Sequence, residues 1–342
     1  MRVKDNLGHP GVLAALGAAA LFGAGTPLAK LLLNSISPWM LAGLLYLGSG
    51  LGLMLYRIVG RSTVVRLSKN DVPWFAGAVI AGGVLAPMLL MMGLRGMPAS
   101  GASLLLNAEG VFTALLAWFV FKENVDRRIA IGMISILAGA IVLSWPGETH
   151  FKGIWPAIAI LAACFLWGLD NNLTRKISLT DATWIAAVKG MIAGTINLLL
   201  ALFLTNATWP PIPNLAGGLI IGFFAYGISL VLFVVSLRHL GTARTGAYFS
   251  IAPFIGAMLA VAMGEPLTIQ TAFAGGLMAI GVLLHLTERH DHFHTHEILE
   301  HEHEHNHDEN HCLPDQSGAK HSHESISHTH PHFPDAHHQH RH

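Results

Sequence analysis

The sequence predicts an all-α integral membrane protein of about ten transmembrane helices, arranged as two inverted five-helix repeats. Three observations carry this expectation. The 342-residue chain has a mean hydropathy of +0.51 and only 12% charged residues, about half the charge of an ordinary soluble domain. Its apolar residues form runs of about 20 residues that would be greasy on nearly every side of a helix, as a bilayer solvent requires. The segments of the first half also recur, in order, in the second.

Taken along the chain, ten runs reach spanning length: 11–33, 38–58, 73–94, 98–121, 128–145, 153–174, 182–204, 215–237, 241–263 and 267–287. The breaks between them carry turn or charge signals at Asn34–Pro38, Arg61–Asp71, Gly96–Pro98, Lys122–Arg128, Pro146–Lys152 and Trp209–Pro213. Each run reads as a helix because a backbone in hydrocarbon must satisfy its own hydrogen bonds. The first run follows Arg2 and Lys4 as a signal peptide would. From Gly11 to Leu33, however, it is too long for the apolar part of one, and it reads as an uncleaved first span.

The formal net charge of zero hides a division. Residues 1–287 hold 17 Lys/Arg against 9 Asp/Glu, whereas residues 288–342 hold 3 against 11, with 18 of the 22 histidines. With the N-terminus in the cytoplasm, the inner loops collect Arg2, Lys4, Arg57, Arg61, Arg66, Lys69, Lys122, Arg127, Arg128, Arg175, Lys176, Arg238, Arg244 and Arg289. The outer ends keep only Lys30, Arg95 and Lys152. This bias predicts a multi-pass protein of the cell membrane with both termini cytoplasmic. Of the two cysteines, Cys164 lies in an apolar run and Cys312 in the tail, so no disulfide framework is expected and Cys164 reads as core packing.

The repeat is visible in four matches. Phe22-Gly23 through Lys30 to Trp39 corresponds to Trp167-Gly168 through Arg175 to Trp184 at a spacing of 145, and Leu94-Arg95 corresponds to Leu237-Arg238 at 143. The Phe-Lys-Glu ending at Glu123 falls on the Met-Gly-Glu ending at Glu265, and Gly139 falls on Gly281. The expected organisation is residues 1–145, 146–287 and a disordered acidic tail 288–342. Five spans per half is odd, so the second half enters the bilayer in the opposite sense. This is a recurring design of secondary transporters, which hold cargo near the midplane between the halves.

Gly264-Glu265-Pro266-Leu267-Thr268 with the glycine-rich last span (Gly275, Gly276, Gly281), and the first-half counterpart Leu115 to Glu123, resemble the EamA branch of the drug/metabolite transporter superfamily. The resemblance covers about residues 10–287. It implies a ten-helix, two-repeat transporter that exports or exchanges small metabolites, and it marks fold far better than substrate. The tail has no counterpart in that pattern, and Glu109-Gly110 departs from its repeat partner Ala252-Pro253.

Ionisable groups inside spans are costly unless paired or hydrated, so each is a candidate functional residue. Glu109 lies midway along the fourth span, with Asn107 beside it and Thr113 one turn away. It reads as a cargo or proton-coupling carboxylate, or as a structural one paired with a cation. Asp170-Asn171-Asn172 near the inner end of the sixth span would ligate a cation, hydrogen-bond cargo, or end the helix by competing for its backbone. Lys189 is too deep to snorkel, and reads as a counter-charge for Glu109 or Asp170, or as a site for an anionic cargo. Tyr46, Asn197, Tyr226 and Ser229 read as cavity lining or as helix–helix glue. The glycine clusters allow close packing and do not form a phosphate loop, since no Lys-Ser/Thr follows them.

In the tail, His292, His294, His296, His301, His303, His305, His307 and His311 are interleaved with Glu, Asp and one Cys, Cys312. Imidazoles in this setting suit Zn, Ni, Co or Cu, held in fluid ligand sets because the segment cannot build a core. The matches to H-E-x-x-H at His301–His305 and His303–His307 arise from two-letter alternation rather than from a presented helix.

Three readings follow: a secondary transporter of an amino acid or related metabolite, with efflux as the expected direction; a divalent-metal transporter with the tail as collector; and a membrane-anchored metal-binding or sensing protein. No nucleophile–base set marks an enzyme, and no required cofactor is evident. The partners expected are the lipid bilayer and a small-molecule or ion substrate. Nucleic acid is not among them, because the basic residues sit at membrane boundaries; a homo-oligomer is left open.

Overall fold

A computed structural model describes residues 10–62, 65, 67–121, 127–145, 154–175, 177, 181–286, 291–295, 299–302, 320–323 and 327–331. The chain divides into two compact units, Met1–Thr287 and Glu288–His342. The first unit is helical. Among the described residues, seven helices are long and apolar enough to cross a membrane, and Ala130–Ser144, Ala252–Ala262 and Ile269–Leu284 are shorter apolar helices. Together they account for the ten spans.

The first span is Pro10–Leu32 and the second Pro38–Val59. Pro38 opens the second, where a missing N–H costs nothing, and the Ser37 hydroxyl accepts from the Met40 amide at 3.4 Å. The third span, Val72–Gly96, contains a seven-residue π-helical stretch at Val79–Leu85. The fourth is broken into Ala99–Leu105 and Ala108–Phe121, and the fifth is Arg127–Ser144. The second half repeats this plan. Its sixth span is Trp155–Arg175, its seventh Ala182–Leu204, and its eighth, Ile212–Ser236, holds a π stretch at Gly222–Ile228. The two π stretches lie 143 residues apart, as the sequence repeat requires.

The helical element Ser229–Phe249 runs past the predicted eighth span without an assigned break. It nevertheless reverses direction. The Phe233 and Phe249 rings are 4.9 Å apart and the Ser236 and Thr245 hydroxyls 2.9 Å apart. Sixteen residues of straight helix would separate the phenylalanines by about 24 Å. The chain turns between Ser236 and Thr245, and the ninth span then continues through a second break at Ser250–Ile251 into Ala252–Ala262. The tenth is Ile269–Leu286.

Packing obeys the same two-fold plan. The first span packs on the eighth and ninth, and the sixth on the third and fourth; the second packs on the seventh, and the fifth on the tenth. A Cβ on Gly139 would meet Met278 and the Ala274 carbonyl at 2.7 and 2.9 Å. One on Gly281 would meet the Gly132 carbonyl and Ile136, both at 2.6 Å. These contacts are one contact written twice, because 132 and 274, and 136 and 278, are repeat partners. Outward-facing Leu55, Phe119, Ile134, Phe203, Met258 and Phe273 are exposed, as residues meeting lipid must be.

Among the described residues, the second unit carries four short strands. β1 (Asp291–Thr295) pairs antiparallel with β4 (Ser327–Pro331), and β2 (Leu299–Glu302) with β3 (Lys320–His323). The sequence led to an expectation of no regular structure here; two-stranded ladders of this length gain little stability alone.

At the N-terminal end of the seventh span, Asp181 is the N-cap, accepting from the Thr183 and Trp184 amides at 2.8 and 3.1 Å. It also pairs with Arg57 of the second span at 2.7 Å. Partial burial pushes its carboxyl up, but the Arg57 and Thr183 hydrogen bonds, the Trp184 amide and the guanidinium charge outweigh this and hold it down at about 2, against an ordinary 3.8. Because the folded value is depressed, the stabilisation is complete above pH 3.8 and is lost as pH falls through about 2. Asp181→Asn is therefore expected to flatten the fall of melting temperature between pH 5 and pH 2.5 in detergent; equal slopes for both proteins would exclude this role. Gly281→Leu is expected to destabilise by about 1–3 kcal/mol through overpacking. Gly276→Ala, where a Cβ meets nothing within 4 Å, is expected to leave the melting temperature unchanged.

Candidate functional site

The site begins with a proline. Pro87 follows the π stretch of the third span and has no N–H to return to the carbonyls one turn back. The Gly82 and Gly83 carbonyls are both satisfied by side chains of other helices. The Tyr46 hydroxyl donates to Gly82 O at 2.6 Å, and the Trp167 indole N–H donates to the same atom at 3.0 Å. The Asn197 amide donates to Gly83 O at 3.0 Å. Three spans, the second, sixth and seventh, are thereby tied to the third at one point.

Trp167 lies one turn before Asp170 on the sixth span, and the same face brings Asp170 to Lys189 of the seventh, with which it forms a buried ion pair. Thr174, one turn further, donates to the other Asp170 oxygen at 3.1 Å. Gly82 is needed here, because a methyl at that position would overlap the Asp170 carboxylate. Of the counter-charges the sequence left open for Lys189, the structure selects Asp170.

The Asn171 amide donates to Glu109 Oε1 at 3.0 Å and to the Thr113 hydroxyl at 3.2 Å. Thr113 in turn donates to the Glu109 carbonyl at 2.9 Å. Glu109 sits in the first turn of Ala108–Phe121, where the positive end of a helix favours a carboxylate. It is half-buried and accepts from no other described residue, and its neighbour Gly110 is exposed to open space. Asn171 is exposed too, yet it lies about 120–140° round the helix from outward-facing Phe165 and Ile158. Its amide reaches across to the fourth span.

Two expected site residues are bonded to backbone carbonyls. Asn107 occupies the break in the fourth span, where its buried amide donates to Leu104 O at 2.9 Å and lies 3.9 Å from Met278 Sδ. Asn172 donates to Gly168 O at 2.8 Å and to Thr113 O at 3.1 Å; it does not end its helix, which continues to Arg175. Cys164 is buried and donates to Leu105 O at 3.6 Å, on the edge of the same break. Pro87 was not singled out from sequence, Trp167 was read only as a marker of the repeat, and Gly82 only as a glycine that allows close packing. A proline inside an apolar span was the available signal, since it announces orphaned carbonyls that some side chain must reach.

Among the described residues of the core, no group of three or more His, Cys, Asp or Glu converges in a metal-binding arrangement. His292, His294 and His301 fall on β1 and β2; His296, His303, His305, His307, His311 and Cys312 lie outside the described residues.

Removing one partner of a buried ion pair strands the other charge at a cost of about 3–5 kcal/mol. Asp170→Asn and Lys189→Met are each expected to destabilise by about that amount in denaturation experiments in detergent. The double variant is expected to recover more than half; additive losses would mean the two charges do not act as a pair.

Comparison with known proteins matches the architecture to a family. A chain from Methanothermobacter thermautotrophicus described as an uncharacterized transporter is 28% identical over 294 residues, covering 80% of this chain and 85% of its own. An Escherichia coli protein described as a probable amino-acid metabolite efflux pump is 27% identical, covering 69% of this chain and 74% of its own. A probable terminal-alkyne amino-acid exporter of Streptantibioticus cattleyicolor is 26% identical over 65% of this chain and 75% of its own. A solved crystal structure superposes with a TM-score of 0.61 at 16% identity, covering 80% of this chain and 94% of that one; that likeness concerns fold alone. The model of the EamA-like transporter family matches residues 9–145 and again 154–287, once for each repeat, and the chain belongs to the EamA-like transporter family.

Proposed function

We propose that this protein is a secondary exporter of a small amino-bearing metabolite, an amino acid or related compound, and that Glu109 receives the cargo's ammonium. The observation that carries this is the contrast between two carboxylates. Asp170 is neutralised by Lys189, whereas Glu109 has only the neutral Asn171 amide as a hydrogen-bond partner among the described residues. A carboxylate kept in a helical bundle without a counter-charge is costly, and a cationic group arriving with the cargo offsets that cost. The relatives described as amino-acid efflux pumps and exporters support the same class and direction. The excess of basic residues on one side supports cytoplasmic termini in the cell membrane. The sequence has no phosphate-binding loop, so a gradient supplies the drive.

Divalent-metal transport is less well supported, because the two core carboxylates considered as ligands are not equivalent and Asp170 is already committed. In our reading the tail histidines and Cys312 instead bind Zn, Ni, Co or Cu at the cytoplasmic side as a local buffer. Reconstituted in liposomes, the full chain is expected to move amino acids, and Glu109→Gln to slow that flux at least tenfold with an unchanged melting temperature. An unaltered rate in Glu109→Gln would remove Glu109 from the cargo site. Deleting residues 288–342 is expected to abolish calorimetric binding of these metals and to leave amino-acid flux within about twofold. Flux that stops with the deletion would assign the tail to the transport cycle.

A further inference from the structure

The two π stretches occupy equivalent positions, but their chemistry differs. In the first, Gly82 and Gly83 carbonyls take three side-chain donors, where Pro87 lacks one amide and the helix returns from i−5 to i−4 bonding. In the second, the residue equivalent to Pro87 is Leu230, which has its N–H. No side chain among the described residues donates to the second stretch. The position equivalent to Gly83 is there Tyr226. Where the first repeat leaves room for Ala193 and Lys189, the second places a phenol. π stretches recur at functional sites because they redirect side chains that a regular helix would aim elsewhere.

The Tyr226 ring is fixed between two neighbours, Phe22 at 5.8 Å edge-on and Tyr46 at 5.7 Å between centroids. Its hydroxyl hydrogen-bonds to no described residue and is not among the polar atoms sealed without a partner. The hydroxyl is therefore not sealed, and the ring joins the polar cluster through Tyr46, whose own hydroxyl donates to Gly82 O beside the Asp170 carboxylate, next in sequence to the Asn171 that bonds Glu109. The other donors near Glu109 and Gly82 are all committed. Tyr46 and Trp167 serve Gly82 O, Lys189 serves Asp170, Thr113 serves the Glu109 carbonyl, and the Asn171 amide serves Glu109 and Thr113. What is left is one anionic acceptor on the first repeat and one hydroxyl donor on the second.

We propose that Tyr226 is a specificity-determining residue, its hydroxyl donating to the carboxylate of an α-amino acid whose ammonium is held by Glu109. This rests on the exporter reading above and narrows its substrate class to zwitterions. It also sets one recognition group on each repeat, so that cargo bridges the two halves that move in alternating access.

The test uses the full chain in proteoliposomes, with L-leucine and L-valine as cargo and their decarboxylated counterparts, 3-methylbutylamine and 2-methylpropylamine, as competitors. A hydrogen bond to a charged group is worth enough that Tyr226→Phe is expected to raise KM for the amino acids about tenfold. The amines' inhibition constants are expected to stay within about twofold, since they lack the group the hydroxyl reads. An unchanged KM, or amino acid and amine weakened together, overturns the assignment. So does failure of the amines to inhibit the unsubstituted protein. Absence of any amino-acid flux in the unsubstituted protein overturns the exporter reading and this inference with it, whereas flux with an unaltered KM in Tyr226→Phe overturns this inference alone.

Discussion

In hydrocarbon a backbone carbonyl without a donor has no water to turn to, and the irregularities of the third and fourth spans are organised around that fact. At the end of the π stretch the missing Pro87 amide and the return to i−4 bonding leave Gly82 and Gly83 carbonyls to side chains, and Tyr46, Trp167 and Asn197 arrive from three other helices to meet them. The break at Leu106–Asn107 is closed by the Asn107 amide on Leu104 and the Cys164 thiol on Leu105. The elbow between the third and fourth spans is held from both sides. The Lys30 ammonium donates to the Leu94 and Met97 carbonyls at 2.5 and 2.9 Å, and the Glu265 carboxylate accepts from the Ala99 and Ser100 amides at 2.6 and 2.8 Å. A cation at a helix C-terminus and an anion at a helix N-terminus are the signs that helix dipoles favour.

These repairs also create the site. Once Trp167 is committed to Gly82, Asp170, one turn on, is delivered to Lys189, and Asn171 is turned toward Glu109. The chemistry of the cluster is thus a by-product of how one proline is accommodated. It is confined largely to the first repeat and the helices packed on it. Glu109, Asp170 and Lys189 fall opposite Ala252, Gly25 and Leu44 in the repeat, none of which is ionisable. The backbone plan is close to two-fold; the charge is not. A symmetric scaffold can rock between two equivalent arrangements, and asymmetry in its side chains allows those arrangements to differ in affinity.

Much of this was legible in the residues. Run length and low charge fixed the number of spans, because the thickness of a bilayer leaves little choice of helix length. The matches at 143 and 145 foretold both the five-plus-five plan and specific contacts: Gly139 and Gly281, paired on sequence alone, make the same close approach in mirror roles. Glu109, Asp170, Asn171 and Lys189 were legible as candidates because an intramembrane charge needs a reason. Asn107 and Asn172 were candidates for the same reason, and both proved to be bonded to backbone carbonyls. Side-chain polarity does not say whether the need being met is a ligand's or the backbone's.

The sequence by itself therefore determined the solvent the protein lives in, its helix count, its internal symmetry and the short set of polar groups that such a solvent makes conspicuous. Tertiary structure alone decided which of those groups are partners. Lys189 was open to Glu109 or Asp170, and the choice of Asp170 depends on helix rotation around the π stretch. So does the freedom of Tyr226. A one-residue change of helical register rotates a side chain by about 100°, and pairing depends on relative rotations of helices far apart in the chain, which local composition does not encode.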